Sequence, residues 1–261
     1  MADPTSASIK SRLAAGETPI GTMAMEFHVP GLAQMARASG AEFIIYDMEH
    51  SGAGLETMKA QCAACRGIGL APIVRVPAAQ YAFVAGALDI GAHGVMVPMV
   101  ESAAQAREIV SWTRYPPAGK RGAAFGVAHD DYLPGPPAAK MAAATERTLV
   151  LPILESPAGI AAAPEIAAVP GIDVLWLGSF DLTSFMGIPA QFGHPDYLGA
   201  EARLLEAART AGKAAGFVAA DGPSARDCRD RGYRMIAVGI DFQLYQRALT
   251  DGLGALRQAR G

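Results

Sequence analysis

The stretch of sequence that decides the fold runs from residue 43 to residue 75 and reads FIIYDMEHSGAGLETMKAQCAACRGIGLAPIVR. Two short apolar runs, Phe43–Asp47 and Ala71–Arg75, enclose a segment, Leu55–Arg66, with apolar residues at helical spacing. Short apolar runs bounded by glycine, proline or a charge are typical of strands that are buried on both faces of a parallel sheet. The stretch therefore predicts a strand–helix–strand unit.

The same alternation continues on both sides of this unit. Further strands are predicted at Ile20–Met25, Gly94–Val97, Leu149–Leu154, Val174–Leu177, Ala215–Ala219 and Arg234–Gly239. Stretches with helical spacing lie between them, among them Ser102–Trp112 and Glu201–Ala211. Eight strands alternating with helices predict a single-domain (β/α)8 TIM barrel, an α/β fold with its core at about residues 20–240. The second choice is a doubly wound open sheet. Its dinucleotide-binding form is disfavoured because no G-x-G-x-x-G motif follows the first strand.

Two segments depart from this alternation of strands and helices. Residues 114–137 contain more proline and glycine than a helix or a buried strand tolerates. These residues are Pro116-Pro117, Gly119, Gly122, Pro134 and Pro136-Pro137. They predict a long excursion between the fourth and fifth strands, and loops of this length are usually functional or form subunit contacts. The final stretch, Asp241–Arg260, predicts one amphipathic helix.

The composition describes a globular chain and argues against several classes of function. Of the 261 residues, 51% are hydrophobic and 18% are charged, which is enough apolar material for a sizeable core. The net charge of −3 and the scattered lysines and arginines argue against a nucleic-acid partner. Three cysteines are too few for a disulfide framework, and no apolar run is long enough to cross a membrane. Because no secretory signal is visible in Met1–Ser6, we expect a cytoplasmic protein.

Polar residues stand where the predicted strands end. The carboxyl ends of the strands open at one end of a barrel, and that end carries the chemistry of barrel enzymes. Glu155 follows the fifth strand and Asp181 follows the sixth. Arg75 ends the third strand, and His50 follows the second. We therefore expect these four side chains to face one mouth.

These residue types suit metal-assisted chemistry. Two carboxylates on neighbouring strands, completed by water and substrate oxygens, are suited to Mg²⁺, Mn²⁺ or Co²⁺. The Arg75 guanidinium beside them is suited to an oxyanion or a carboxylate. His50 is suited to general base catalysis near neutral pH. Asp89, at the end of the third predicted helix, is a candidate to orient the His50 imidazole.

Single residues of this kind also have ordinary structural explanations. A carboxylate after a strand often caps a helix or forms a surface ion pair. This explanation is harder to apply to two carboxylates, an arginine and a histidine at one mouth. Asp47 and Glu49 are interpreted as capping or supporting residues. Cys62 and Cys65 have C-x-x-C spacing but lie within a predicted helix without a second pair, which disfavours a zinc or redox site. The other histidines are interpreted as loop or packing residues, namely His28, His93, His129 and His194.

Seven motifs follow one another along the chain in a recognisable order. They are Tyr46-Asp-Met-Glu-His50-Ser, Val74-Arg75-Val-Pro77, Leu88-Asp89-Ile-Gly91, Val97-Pro98-Met-Val100, Arg114-Tyr-Pro-Pro-Ala-Gly-Lys-Arg-Gly122, Leu154-Glu155-Ser and Leu177-Gly178-Ser-Phe-Asp181-Leu. Together they resemble the HpcH/HpaI aldolase family, from about Ile20 to Asp241. Members of this family are metal-dependent class II pyruvate aldolases that cleave 4-hydroxy-2-oxo acids. The resemblance therefore implies a TIM-barrel lyase.

The resemblance also implies how metal and substrate are held. Glu155 and Asp181 are expected to bind the divalent metal, and Arg75 is expected to bind the substrate and to stabilise the enolate oxygen as charge develops. The substrate carboxylate is expected to lie against the backbone of a short segment, made of Gly178, Ser179, Phe180 and Asp181.

For proton transfer, the resemblance implies a pair made of His50 and Asp89 acting as acid and base. The expected reaction is reversible retro-aldol cleavage of a 4-hydroxy-2-oxo acid to pyruvate, or to hydroxypyruvate, plus an aldehyde. One departure from the family pattern is Ile153, which stands where members often carry glutamine. This change removes a polar side chain from the expected pocket and affects substrate positioning more than metal chemistry.

The expected partners are a small 2-oxo acid, an aldehyde and further copies of the chain. By resemblance the protein is a homo-oligomer, often a hexamer built as a trimer of dimers, with the last helix exchanged between neighbours. Two other functions stay open. A CoA-ester lyase of the same superfamily needs a basic docking surface, for which Arg114, Lys120 and Arg121 are candidates. A non-catalytic 2-oxo-acid-binding protein needs the metal and Arg75 but no base.

Overall fold

A computed structural model describes residues 8–258 and contains a closed barrel of eight parallel strands in sequence order, with β8 pairing with β1. The barrel confirms the predicted (β/α)8 fold. The strands are β1 (Ile20–Ala24), β2 (Phe43–Asp47), β3 (Ala71–Arg75), β4 (Gly94–Val97), β5 (Leu149–Leu154), β6 (Val174–Leu177), β7 (Ala214–Ala219) and β8 (Met235–Ile240).

Helices surround the barrel and close one of its ends. They are α1 (Ile9–Ala14), α2 (Pro30–Ala38), α3 (Leu55–Ala64), α4 (Tyr81–Asp89), α5 (Ala103–Thr113), α6 (Pro137–Arg147), α7 (Pro157–Ala161), α8 (Ala163–Ala167), α9 (Ser179–Phe185), α10 (Pro195–Thr210), α11 (Gly222–Arg231) and α12 (Asp241–Gln258). A single 3₁₀ turn, Ala128–Asp130, lies within the excursion before α6. The last two residues of the predicted final helix lie outside the described residues.

Alternation along the strands divides the core into two layers. In β2, Phe43 and Ile45 point into the barrel, whereas Ile44 and Tyr46 point outward to the helices. The interior layer also contains Ile9 of α1, a helix that closes the barrel at the end where the strands begin. Within residues 8–258, no helix combines the length and the apolar character needed to cross a bilayer.

The parallel strands give the barrel two distinct ends. We call the end where the strands finish the upper end, and the end where they begin the lower end. The excursion, residues 114–136, follows α5 and precedes α6 and β5, so it lies at the lower end. There α6 packs against α1. The excursion is therefore remote from the residues that follow the strands.

Candidate active site

Asp47 organises one side of the upper end. It ends β2, lies directly beside Arg75 of β3 in the strand register and is fully buried. Its Oδ1 accepts a hydrogen bond from Arg75 Nε at 2.5 Å and another from the Glu49 backbone N–H at 3.0 Å. Its Oδ2 accepts one from the His50 backbone N–H at 2.9 Å. Asp47 therefore fixes both the guanidinium and the turn that carries His50, which agrees with its interpretation as a supporting residue.

Arg75 lies between two carboxylates. Besides the bond to Asp47, its Nη1 lies 3.3 Å from Glu49 Oε2. The side chain is mostly buried, so these contacts are only weakly screened by water. The guanidinium is thus held in one orientation at the mouth, while its remaining N–H groups stay free for a ligand.

Glu155 occupies the floor of the mouth. It follows β5, its side chain is 4% exposed, and its Oε1 accepts a hydrogen bond of 2.7 Å from the Met99 backbone N–H. Met99 has a φ of 54°, an uncommon left-handed backbone for a residue with a side chain. Burial raises the pKa of Glu155 to about 7, and the nearby charges of Glu49 and Asp181 act in the same direction.

Asp181 enters the same mouth from the neighbouring strand. Leu154 of β5 pairs with Leu177 of β6, so the residues that follow these strands lie side by side. Asp181 stands in the first turn of α9 and is exposed. The glycine between strand and helix makes this arrangement possible, because a Cβ on Gly178 would lie 2.5 Å from Glu155 Oε2 and from Glu155 Cβ.

The donor set fits a hard divalent cation. Glu155, Asp181 and Glu49 supply carboxylate oxygens, the ligands that Mg²⁺ and Mn²⁺ prefer. Oε2 of Glu49 is buried and takes part in no hydrogen bond, and burial raises the pKa of this carboxyl. Among residues 8–258, no three His, Cys, Asp or Glu side chains form a complete ligand cluster. A cation here would therefore take two protein carboxylates and leave positions for water and substrate.

His50 lies at the rim of the mouth. Its side chain is 53% exposed, and Nε2 lies 3.8 Å from Glu49 Oε2. The backbone of His50 is fixed by Asp47, whereas its ring is open to a ligand. The predicted position of His50 beside the strand-end carboxylates agrees with this arrangement.

Asp89 lies at the other end of the barrel. It is the last residue of α4, which leads down to the start of β4. Its Oδ1 accepts hydrogen bonds from Arg121 Nη2 at 2.7 Å and Nε at 3.3 Å, and its Oδ2 accepts none from the described residues. Arg121 is 2% exposed and stacks on the Tyr115 ring. A single chain therefore does not bring Asp89 to His50, and the expected pair is not formed within it.

The segment predicted to bind the substrate carboxylate begins α9. The Gly178 N–H donates to Leu154 O at 3.2 Å, so it takes part in strand pairing and is not free for a ligand. The next amides, of Ser179, Phe180 and Asp181, are the first of the helix, where N–H groups lack intrahelical acceptors. The Phe180 ring is 64% exposed and contacts Phe192 edge-on.

Two residues that sequence reasoning missed hold the mouth together. Met99 supplies the N–H that fixes Glu155, and nothing in its apolar side chain signals that role. Asp241, the first residue of α12, accepts hydrogen bonds from the backbone N–H groups of Met25, Glu26 and Phe27. Asp241 directly follows β8, so its position after a strand is a signal that the sequence offers, as it does for Asp181 four residues after β6.

Ile153 lies directly below the mouth, and the remaining candidates lie away from it. Ile153 is buried in the barrel interior, beneath Glu155 and against Gly178. His129 is buried in the excursion at the lower end, where its ring contacts Ala124 O. All three cysteines are buried free thiols. Burial raises the pKa of the Cys65 thiol to about 11, which disfavours metal binding or redox chemistry there.

Comparisons with known proteins agree on one family. A sequence model of the HpcH/HpaI aldolase/citrate lyase family matches residues 26–248. A 2-keto-3-deoxy-L-rhamnonate aldolase from Klebsiella pneumoniae is 36% identical over 255 residues, which are 95% of this chain and 92% of that protein. The crystal structure of an HpcH/HpaI aldolase from Desulfitobacterium hafniense superposes with a TM-score of 0.91 at 28% identity, over 97% of both chains.

A more distant structure shares the fold. The citrate lyase β subunit from M. tuberculosis, solved in complex with oxaloacetate and magnesium, has a TM-score of 0.57 and 22% identity. The match covers 87% of this chain and 93% of that one.

Proposed function

Because the chain belongs to the HpcH/HpaI aldolase/citrate lyase family and is a lyase of the aldolase type, we propose that it is a divalent-metal-dependent class II aldolase. Its substrates are 4-hydroxy-2-oxo acids, which it cleaves reversibly to pyruvate or hydroxypyruvate plus an aldehyde. The observation that carries the proposal is the convergence of the Glu155 and Asp181 carboxylates with the Arg75 guanidinium at one end of the barrel. The name of the K. pneumoniae relative, a 2-keto acid aldolase, supports the class of substrate.

Glu155 and Asp181 are the residues that would hold the metal. Both supply oxygen ligands, and the absence of a side chain on Gly178 leaves room for the Glu155 carboxylate. When bound, Mg²⁺, Mn²⁺ or Co²⁺ supplies a Lewis acid that draws electron density from the C2 oxygen of a 2-oxo acid. Glu49, whose buried Oε2 lies 3.3 Å from Arg75 Nη1, holds the guanidinium beside these two carboxylates.

Arg75 stabilises negative charge on the substrate. Retro-aldol cleavage leaves an enolate, so charge builds up on the C2 oxygen in the transition state. A guanidinium already fixed by Asp47 and Glu49 does not have to reorganise as this charge develops. The free amides of Ser179 and Phe180 offer further donors for the C1 carboxylate.

His50 takes the proton of the C4 hydroxyl and returns it in the synthetic direction. Imidazole is the side chain best suited to both steps near neutral pH. Its exposed position at the rim leaves space for a water molecule that relays the proton. An aldolase that forms a Schiff base needs a lysine, whereas the mechanism proposed here does not. No strand of the barrel ends in lysine.

We further propose that the protein is a homo-oligomer in which Asp89 of one copy orients His50 of another. The two residues lie at opposite ends of one barrel, so a His50–Asp89 pair requires a second chain. Arg121, itself stacked on the Tyr115 ring, supports this role, because it holds Oδ1 of Asp89 and leaves Oδ2 without a donor among the described residues. An apolar stripe on α12 is available to join the copies, formed by Tyr245, Leu249, Leu253 and Leu256.

The CoA-ester lyase alternative finds less support in the structure. Arg114 and Arg121 are buried, so only Lys120 of the expected basic docking surface is exposed. All three residues belong to the excursion at the lower end, remote from the carboxylates. The non-catalytic alternative accounts for Arg75 and the metal ligands but gives no role to the open imidazole of His50.

The experiment that tests the proposal is pyruvate release from a racemic 4-hydroxy-2-oxo acid. Metal-stripped protein is assayed before and after addition of Mg²⁺, Mn²⁺ or Co²⁺. We expect negligible release without metal and release after metal is added. Full activity in the presence of a chelator would contradict the class II mechanism. No release with any metal from folded protein would favour a non-catalytic binder.

A further inference from the structure

A cavity of about 560 Å³ opens at the lower end of the barrel, remote from the candidate active site. It lies between α1, the ends of α2, α3 and α6, and the 3₁₀ turn of the excursion. Its floor includes Pro72 at the start of β3 and His93 just before β4. A volume of this size is typical of sites for small organic molecules.

The lining of this lower cavity is positively charged. It contains four arginines and two carboxylates, namely Arg12, Arg37, Arg66, Arg147, Glu42 and Asp131. Arg12 pairs with Glu42 at 2.6 Å, and Arg66 pairs with Asp131 at 3.1 Å. Arg37 and Arg147 form no ion pair with any carboxylate of residues 8–258, so the cavity keeps an excess of positive charge.

Main-chain oxygens hold three of these arginines in place. Arg37 Nε donates to Ile68 O at 3.0 Å, and Arg66 Nη2 donates to Ala128 O at 3.0 Å. Arg147 Nη2 donates to His129 O at 2.7 Å. A carbonyl orients a guanidinium without neutralising its charge, and each guanidinium has five N–H groups. The remaining donors are therefore fixed in position and free to bind an acceptor.

Two polar side-chain groups in residues that line the lower cavity, Arg147 and His93, form no hydrogen bond within the described residues. Nε of Arg147 is buried and donates no hydrogen bond. The His93 ring forms no hydrogen bond within the described part of the chain. Burial, together with the charge of Arg147, lowers the pKa of His93 to about 3, so the ring is neutral. A neutral imidazole still offers one N–H donor beside the arginines.

The position of the arginines at helix ends explains only part of this arrangement. Arg12, Arg37 and Arg147 lie in the last turns of their helices, and Arg66 lies two residues after the end of α3. Positive side chains at such positions interact favourably with the helix dipole. The dipole does not explain why four arginines converge on one cavity or why Arg147 Nε is buried without an acceptor. A bound anion explains the convergence of the arginines, whereas Arg147 Nε is closed to the cavity and is not one of its contacts.

We propose that the lower cavity is a second ligand site that binds a small organic anion through a phosphate or carboxylate group. Guanidinium groups match both kinds of oxyanion with paired hydrogen bonds. Arg147 and Arg37 are the principal contacts, since neither forms an ion pair within residues 8–258, although the charges of Asp131 and Asp130 act on Arg147. Within one chain the lower cavity and the mouth lie at opposite ends of the barrel and share no lining residue, so this ligand and the aldol substrate bind to different side chains.

Isothermal titration calorimetry of metal-free protein tests this site with two probes, inorganic phosphate and malonate. We expect at least one probe to bind the wild-type protein and to bind Arg147→Gln about tenfold more weakly or worse, since a charged hydrogen-bond donor is lost. Arg37→Gln is expected to weaken the same probe. Arg209→Gln is the matched control, because Arg209 is an exposed lower-end arginine that pairs only with Glu206.

The outcomes distinguish a phosphate ligand from a carboxylate ligand, and they can also contradict the proposal. Arginine-dependent binding of phosphate alone assigns a phosphorylated ligand, and such binding of malonate alone assigns a carboxylate. Arg37 is exposed, so its variant gives an answer even if Arg147→Gln fails to fold. Absence of binding by both probes, or binding that neither variant weakens, contradicts the proposal. Any anion bound at Arg75 is unaffected by these variants and is thereby distinguished.

Discussion

At the scale of single residues, Gly178 determines where Glu155 can lie. A methyl group at position 178 would collide with the Glu155 side chain. We expect Gly178→Ala to displace this carboxylate and to lower kcat by about 10²-fold, the effect of a misplacement of about 1 Å. Metal affinity, measured by titration with Mn²⁺, falls with it. Gly199→Ala is the control, because a Cβ there meets no neighbour. Equal activity of the two variants would show that the Glu155 position is unimportant.

The Arg75 guanidinium is held at two of its nitrogens. Lysine keeps the charge but cannot contact Asp47 and Glu49 while also presenting donors to the substrate. We expect Arg75→Lys to lower kcat by on the order of 10²-fold, which is the effect of removing one preorganised donor from a developing oxyanion. Steady-state kinetics of pyruvate release measures this change, with Arg209→Lys as an exposed control. A change confined to KM would assign Arg75 to substrate binding alone.

In the proposed metal site, protonation of Glu155 would compete with metal binding and make it depend on pH. Burial raises its pKa from the ordinary value of 4.5 to about 7, so in metal-free protein the folded state binds a proton that the unfolded state has released. The free energy of unfolding contributed by this group is therefore greatest below about pH 4.5 and decreases as the pH rises to about 7. Metal affinity changes in the opposite direction and weakens as the pH falls below 7.

Chemical denaturation and Mn²⁺ titration across pH 5–8 measure both trends. Glu155→Gln cannot ionise, so we expect it to lose this part of the pH dependence of stability and to bind metal weakly at every pH. A metal-free wild type and a Glu155→Gln variant with identical pH profiles would contradict a raised pKa for Glu155.

The elements themselves were largely predictable from sequence. Strands β2 to β6 have the predicted bounds, because each is a short apolar run bounded by glycine, proline or a charge. Strand β8 is shifted by one residue at each end, since Arg234 precedes the ladder and its guanidinium donates to main-chain oxygens. Helix α10 begins at Pro195, six residues before the predicted start. The helical spacing of its first turns is weak, and the signal there is proline at the first helical position.

Helix α12 carries apolar residues that its own barrel does not cover. Leu249 and Leu253 are exposed and lie one turn apart on the same side of the helix. We expect the double variant Leu249→Ser/Leu253→Ser to lower the sedimentation coefficient of the protein, because it removes apolar area from the proposed contact between copies. Thr250→Ser/Asp251→Ser is the matched control on the other side of the helix. An unchanged coefficient in the leucine variant would exclude this stripe as the contact.

At the scale of the whole molecule, the sequence predicts which residues lie together at the mouth but does not predict where Asp89 lies. Residues that follow strands are recognisable from the strand pattern, which is why Glu155, Asp181, Arg75 and His50 were placed together. Asp89 ends a helix, and a helix in this fold ends at the opposite side of the barrel. The left-handed backbone of Met99 likewise has no sequence signal, since it depends on the surrounding packing.

The proposed pairing of His50 with Asp89 of another copy has a direct test. His50→Ala and Asp89→Asn are each expected to be nearly inactive alone. If the pair forms between copies, a mixed oligomer of the two variants contains sites with one intact His50 and one intact Asp89, so pyruvate release is partly restored. A pair within one chain cannot be restored in this way. Mixed oligomers without recovered activity would therefore contradict the pairing between copies.

In the proposed function, the strand-end carboxylates form one cation site on which aldol cleavage depends. The most direct measurement follows Mn²⁺ occupancy and pyruvate release together during one titration of metal-stripped protein with a racemic 4-hydroxy-2-oxo acid present. We predict that release rises in proportion to occupancy of one site per chain, and that Asp181→Asn loses both. Full cleavage in Asp181→Asn, or cleavage that is complete before Mn²⁺ binds, would contradict the claim.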